Sequence, residues 1–173
     1  MLHEVLSKEA CAECRFCCSF RRQSLWEVPD IPLELMKKYP VDASGKQISY
    51  LIQENNGEKF AVTDLRNSYQ TEDPEEEAAC PFLDSKKGCT LPEEEKPFDC
   101  KIWPLRYMRM EDGTEAVCLT PTCPEINQVP PEKMKRLVED GMGEKIRNYA
   151  REHPGMIKEY KEGFPVLQEI SGK

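Results

Sequence analysis

Nine cysteines make up the reactive inventory of this chain, and four of them, Cys11, Cys14, Cys17 and Cys18, crowd into the run CAECRFCC. Thiolates at such spacing can hold metals, form cystines or act as nucleophiles. A CxxC pair presents two sulfurs at one local turn, and a tetrahedral metal needs two such bites, or one bite with distant ligands. The remaining cysteines, Cys80, Cys89, Cys100, Cys118 and Cys123, lie far along the chain.

Cys11, Cys14 and Cys17 extend the local bite to three thiols. Bacterial ferredoxins use that spacing for a 4Fe-4S cluster, with a remote cysteine followed by proline. Cys80-Pro81 and Cys123-Pro124 are two such pairs. Adjacent side chains diverge, so Cys18 reaches more naturally towards a second site. Cys11, Cys14, Cys17, Cys18, Cys80, Cys89, Cys100 and Cys123 thus suffice for two four-thiolate centres, or for one with a surplus. Cys118 lies in the apolar stretch AVCL and reads as a packed core thiol.

The compartment decides between cystines and metal ligands, because cytosolic thiols are kept reduced. MLHEVLSKEA carries two Glu and no apolar run of signal-peptide length. No stretch approaches the 18 or so apolar residues of a membrane span. The expectation is a cytoplasmic chain, without a membrane partner, in which clustered cysteines bind metal ions. A net charge of -8 and a pI near 5.0 argue against nucleic acid as a partner, since its phosphates must be neutralised by Lys and Arg. Arg15, Arg21 and Arg22 read as solvated charge that also offsets neighbouring thiolates.

Leu, Ile, Val and Phe total 35 of 173 residues, near the roughly 20% level below which charged chains tend to disorder. With 32% charged residues, 14 Pro and a mean hydropathy of -0.67, burial is a weak organiser and a cross-link is expected. Length predicts one domain.

The elements that must carry the cysteines are short. A helix is predicted within 1–10, another from Pro32 to before Pro40, and extended segments over 46–53 and 58–66 around Asn55-Asn56-Gly57. TEDPEEE, 71–77, is a charged surface loop. Residues 80–91 predict a hairpin with Gly88 in its turn and a cysteine on each arm. One helical turn is expected at 92–95, and a further hairpin brackets Glu111-Asp112-Gly113-Thr114. Helical spacing of Met134, Leu137, Val138, Ile146, Tyr149 and Ala150 predicts a helix over 131–151, weakened by Gly141 and Gly143. A short helix is expected at 156–161. The fold class is α+β: a small, metal-stabilised cysteine-cluster domain over 1–130 with short β-hairpins, and a helical C-terminal extension over 131–173 packed on it.

These motifs, in order, resemble the YkgJ-type cysteine-cluster family, the zinc- or iron-chelating CxxCxxCC domain proteins. The resemblance spans 11 to about 126 and rests on CAECRFCC, CPFLDSKKGCTL at 80–91, KPFDCKIWPL at 96–105 and CPEI at 123–126. Lys96-Pro97 stands where the family usually has Arg-Pro, and Glu125 where it often has Gly. The resemblance implies the same eight cysteines as ligands and leaves out Cys118. Flagellin lysine N-methylases contain a similar domain in longer chains, which makes a cluster-dependent modifying enzyme the alternative from a different class.

Among metals, an all-thiolate set suits both iron-sulfur and zinc. The ferredoxin-like triple and the Cys-Pro pairs place 4Fe-4S first, with a zinc site of four cysteines as the alternative. His3 and His153 are too few for a two-Cys two-His finger. Trp103 and Phe82 read as core packing before cluster shielding, and Lys101, Arg106 and Arg109 as solvated. Gly141-Met142-Gly143 is no phosphate loop, GxSxG is absent, and a thiol nucleophile beside Arg15 ranks third. An interaction module docking through the 131–151 helix is a further reading.

Overall fold

The computed structural model describes residues 13–170. The helix expected within 1–10, Cys11 and His3 lie outside the described residues. Both helices and strands are present, in small sheets, which is the α+β class. The chain forms two compact units. One, the thiol unit, comprises Arg15–Glu54 and Lys59–Lys101; the other, the sheet unit, comprises Cys14, Asn55–Glu58 and the chain from Ile102 onward. Residue 130 lies inside the sheet unit.

The thiol unit is built from short pieces. A tight turn over Phe16–Cys18 leads into β1 (Ser19–Arg21), followed by α1 (Leu33–Lys38). Pro32 starts α1 with its fixed φ, and Glu34 and Lys37 pair along it at 2.6 Å. β2 (Tyr50–Asn55) begins four residues later than 46 because Asp42 Oδ1 accepts the Ser44 and Lys46 N–H groups and closes a turn there. β2 pairs with β3 (Glu58–Thr63) around Asn56 and Gly57, whose φ values of 49° and 80° are those of a two-residue hairpin turn. β4 (Glu77–Ala79) pairs antiparallel with β1, with Phe20 opposite Ala78. The predicted hairpin at 80–91 is reduced to β5 (Leu83–Asp84) and β6 (Gly88–Cys89). Asp84 Oδ1 accepts the N–H groups of Lys86 and Lys87 within its turn. A turn at Glu93–Glu95 precedes α2 (Phe98–Ile102).

Two small apolar clusters fill this unit. One gathers Ile31, Leu35, Met36, Ile48, Ala61, Phe82 and Leu91; the other gathers Phe20, Val28, Leu65, Tyr69 and Ala78. Cys80 packs against both.

The sheet unit is more regular. β7 (Leu105–Arg109) and β8 (Glu115–Leu119) form the second predicted hairpin, with Gly113 at φ 85° in its turn. β10 (Val166–Ile170) adds antiparallel to β8, and β9 (Lys158–Glu159) adds parallel to β7, giving the order β10-β8-β7-β9. The helix expected at 156–161 is absent. Met156 and Ile157 are buried, and the segment instead supplies β9, with the Tyr160 N–H donating to the Arg109 carbonyl. The helix expected over 131–151 is two: α3 (Pro131–Leu137) and α4 (Gly143–Glu152), separated by a wide turn in which Gly141 takes φ 112°. Met134, Val138, Ile146 and Ala150 form their buried face.

Candidate metal centre

Backbone pairing sets the first two thiols side by side. The β1–β4 register places Ser19 opposite Ala79, and one step further the Cys80 N–H donates to the Cys18 carbonyl at 2.7 Å. Arg15, in the left-handed conformation at φ 52°, tightens the loop so that the Cys18 N–H reaches its carbonyl at 2.9 Å. The Arg15 guanidinium then donates to the Ser85 carbonyl at 2.5 Å, holding the cysteine loop to the β5–β6 turn that carries Cys89. Cys100 comes from the first turn of α2, where Asp99 accepts the Asp30 N–H at 3.2 Å.

The thiols of this unit act on one another's ionisation. Burial pushes Cys80 up to about 12, and the charges of Cys18 and Cys89 add to it, against one N–H donor from Phe82. Cys100 lies well above its ordinary value through burial, then the charges of Cys80, Asp99, Cys18 and Cys89. Cys89 is raised by burial, with the Leu91 N–H and Lys96 opposing. Cys18 goes the other way, to about 7. Its hydrogen bond with Cys17 outweighs burial, and Lys96 and Arg15 assist. The Cys17 and Cys18 sulfurs are 3.9 Å apart. The charge of Cys18 raises Cys80, Cys89 and Cys100, and a cation among them would offset that penalty.

Lys96 stands among them. Burial pulls its ammonium down, yet its hydrogen bond to Glu93 at 2.8 Å and the charges of Glu93, Cys89 and Cys100 bring it above its ordinary value. Lys96, where the resembled family has Arg, is thus a point charge within reach of Cys89 and Cys100.

A second grouping lies in the sheet unit. Cys123 is buried, which raises it, but its sulfur receives the N–H groups of Ile126 and Glu125 and a side-chain hydrogen bond from Trp103, and it feels the charge of Cys14. Arg106 lies over the Trp103 ring at 4.8 Å. Cys118 stands apart: it is fully buried among Met108, Ala116 and Phe164, and burial alone raises it to about 11.

Of the eight cysteines named from sequence, Cys17, Cys18, Cys80, Cys89 and Cys100 belong to the thiol unit, where Cys17 lies beside Cys18 and Cys80 pairs with Cys18 through the backbone, while Cys14 and Cys123 belong to the sheet unit. Cys11 lies outside the described residues. All eight described cysteines are free thiols. Among the described residues, no three His, Cys, Asp or Glu side chains stand close enough together to hold a metal as they are. The donor chemistry nevertheless fits one: N–H groups point at the sulfurs of Cys80, Cys89 and Cys123, and such donors favour the thiolate that a metal requires.

Several neighbours differ from their sequence reading. Trp103 is a hydrogen-bond partner of a thiol besides a packing residue. Arg106 is buried, and Lys101 donates to the Glu94 carbonyl at 2.7 Å, so neither is simply solvated. Arg109 pairs with Glu115 at 2.7 Å. His153 binds Glu58 at 2.8 Å, and Phe82 is core. The N–H donors to sulfur leave little trace in the sequence beyond the proline just after Cys80 and Cys123. Among the described residues, no helix is long and apolar enough to cross a membrane. No family profile, curated protein or solved structure matches the chain.

Proposed function

We propose that this chain is a cytoplasmic thiolate metal-binding protein of the CxxCxxCC kind. The carrying observation is that the Cys80 N–H pairs with the Cys18 carbonyl and that the charge of Cys18 reaches Cys80, Cys89 and Cys100, with Lys96 and Arg15 as offsetting charges. Those four cysteines would hold one centre. Cys14 and Cys123 would begin another, to which the sequence offers Cys11. The CxxCxxC run and the two Cys-Pro pairs rank a 4Fe-4S cluster first and zinc second. A cluster supplies one-electron chemistry when bound; zinc supplies a cross-link.

The chain's own residues do the rest. Arg15 fixes the loop bearing Cys18 against the turn before Cys89. Cys17 stabilises the Cys18 anion by hydrogen bonding. Backbone N–H groups of Phe82 and Leu91 do the same for Cys80 and Cys89. The resemblance to the YkgJ-type family implies the same cysteines and adds Cys17, which lies beside Cys18.

The test is metal and sulfide analysis, with visible spectra, of protein purified without exposure to air. Iron and sulfide with a brown colour support the cluster; colourless protein with stoichiometric zinc supports the alternative. Cys80→Ser and Cys100→Ser should each lose metal, while Cys118→Ser should keep it. Wild-type protein without iron or zinc, or undiminished metal in both ligand variants, would sink the reading.

A further inference from the structure

Away from the thiols, α4 packs on β7 and carries two arginines one helical turn apart, Arg147 and Arg151. Both positive charges bear on the Tyr107 side chain of β7. The Tyr107 hydroxyl donates to Glu115 Oε2 at 2.8 Å, while Glu115 Oε1 accepts Arg109 Nε and Nη2 at 3.1 and 2.7 Å. Glu115 is therefore engaged by Tyr107 and Arg109 together. Among the described residues, no carboxylate forms an ion pair with Arg147 or Arg151. Arg147 Nε is shut off from solvent and has no hydrogen-bond acceptor.

A buried N–H of a guanidinium without an acceptor is rare, because such donors nearly always find one. Arg109 takes up Glu115, and the charges of Arg147 and Arg151 bear on Tyr107 beside it, in a chain whose net charge is -8. The local excess is positive against an acidic whole. What the cluster lacks is an anion. Side chains at i and i+4 stand about 6 Å apart at Cβ, so both forks can converge on one group. A planar carboxylate satisfies a single fork, whereas a tetrahedral phosphate has oxygens enough for two.

We propose that Arg147 and Arg151 form a binding site for the phosphate group of a small anion, beside the Tyr107–Glu115–Arg109 network. Arg147, half-buried and with no acceptor at Nε, supplies the directional contact. Arg151, exposed in the last turn of α4, supplies charge at the mouth. The site lies in the sheet unit and is independent of the metal reading.

The experiment is a calorimetric titration of the full chain as purified, at fixed ionic strength, with inorganic phosphate and with phenyl phosphate. Saturable one-to-one binding is expected. Arg147→Gln and Arg151→Gln should each weaken it by about tenfold. Arg147→Lys, which keeps the charge and loses the fork, should also weaken it. Lys145→Gln, an exposed cation on the same helix, should change it by less than about twofold. Tighter binding of phenyl phosphate supports an ester as the natural source, equal binding supports free phosphate, and both sustain the site. No saturable heat with wild-type protein in the millimolar range overturns the proposal, and so does equal weakening by Lys145→Gln.

Discussion

The thiol unit and the sheet unit are held by different means. β7 and β8 are buried almost throughout, sit at the centre of a four-stranded sheet and carry α4 against β7. β2, by contrast, is exposed at every residue but its last, and each sheet of the thiol unit has two strands. Two-stranded ribbons are marginal in water, whereas three or more strands with a packed helix stand alone. The thiol unit has its apolar residues in two modest clusters that meet at a cysteine, Cys80.

The largest expected effect breaks that comparison open. Stripping metal should abolish amide-exchange protection in β1, β4, β5 and β6 while β7, β8 and β10 keep theirs, since metal supplies on the order of 10 kcal/mol to small thiolate domains. Hydrogen exchange read segment by segment would check it. Protection retained in β1 and β4 without metal would show that the small clusters suffice.

Next in size is a core deletion on the other side of the divide. Ile146, fully buried on α4, should cost the sheet unit about 2–5 kcal/mol when replaced by Ala. Denaturant unfolding measures the loss, and the metal content should not change. A parallel fall in metal would mean that the units do not fold separately.

Legibility in the sequence divides along the same line. Spacing found the cysteines, α1, both hairpin turns and the apolar face of Met134, Val138, Ile146 and Ala150, because each is a local pattern. The pairing of β1 with β4 was not legible: three-residue strands separated by 55 positions carry no period, and only the fold shows that Phe20 meets Ala78. The same pairing puts Cys18 beside Cys80 along the backbone, so that juxtaposition of thiols was hidden for the same reason. The helix expected at 156–161 failed because a tertiary need, covering the free edge of β7, outweighed local preference. The split of 131–151 was half legible. Gly141 and Gly143 marked the weak point, but only the left-handed backbone at Gly141 explains the break.

Gly143 itself offers a finer probe of the sheet unit. A Cβ there would overlap Gln168 Oε1 and fall 3.0 Å from Val138 Cγ1 and 3.1 Å from the Val138 carbonyl. Its backbone is ordinary helix, so the cost of Gly143→Ala is crowding alone, about 1–3 kcal/mol. Gln168 Oε1 is buried without a hydrogen-bond partner, and Gln168→Ala should therefore restore part of the loss. A double-mutant cycle with a coupling of about 0.5–3 kcal/mol would confirm the contact. Simple additivity would show that the glutamine swings aside freely.

The smallest effect is a pH signature confined to the thiol unit. Glu76 lies at the surface, yet its carboxylate accepts the Gln70 and Thr71 N–H groups and the Thr71 hydroxyl. The Gln70 N–H, then the Thr71 hydroxyl and N–H, with Arg22 nearby, hold its pKa below the ordinary 4.5. A depressed folded-state value means that the unfolded chain takes up the proton first as pH falls. The stability from Glu76 is thus complete above pH 4.5 and is lost progressively below it, until the folded carboxylate protonates as well. Glu76→Gln should lower the stability of the thiol unit at neutral pH and flatten its acid slope, leaving the acid response of the sheet unit unchanged. Segment-resolved hydrogen exchange across that range would show it, and an unaltered slope in the loop at 70–76 would mean that the cap does not outlast its exposure to water.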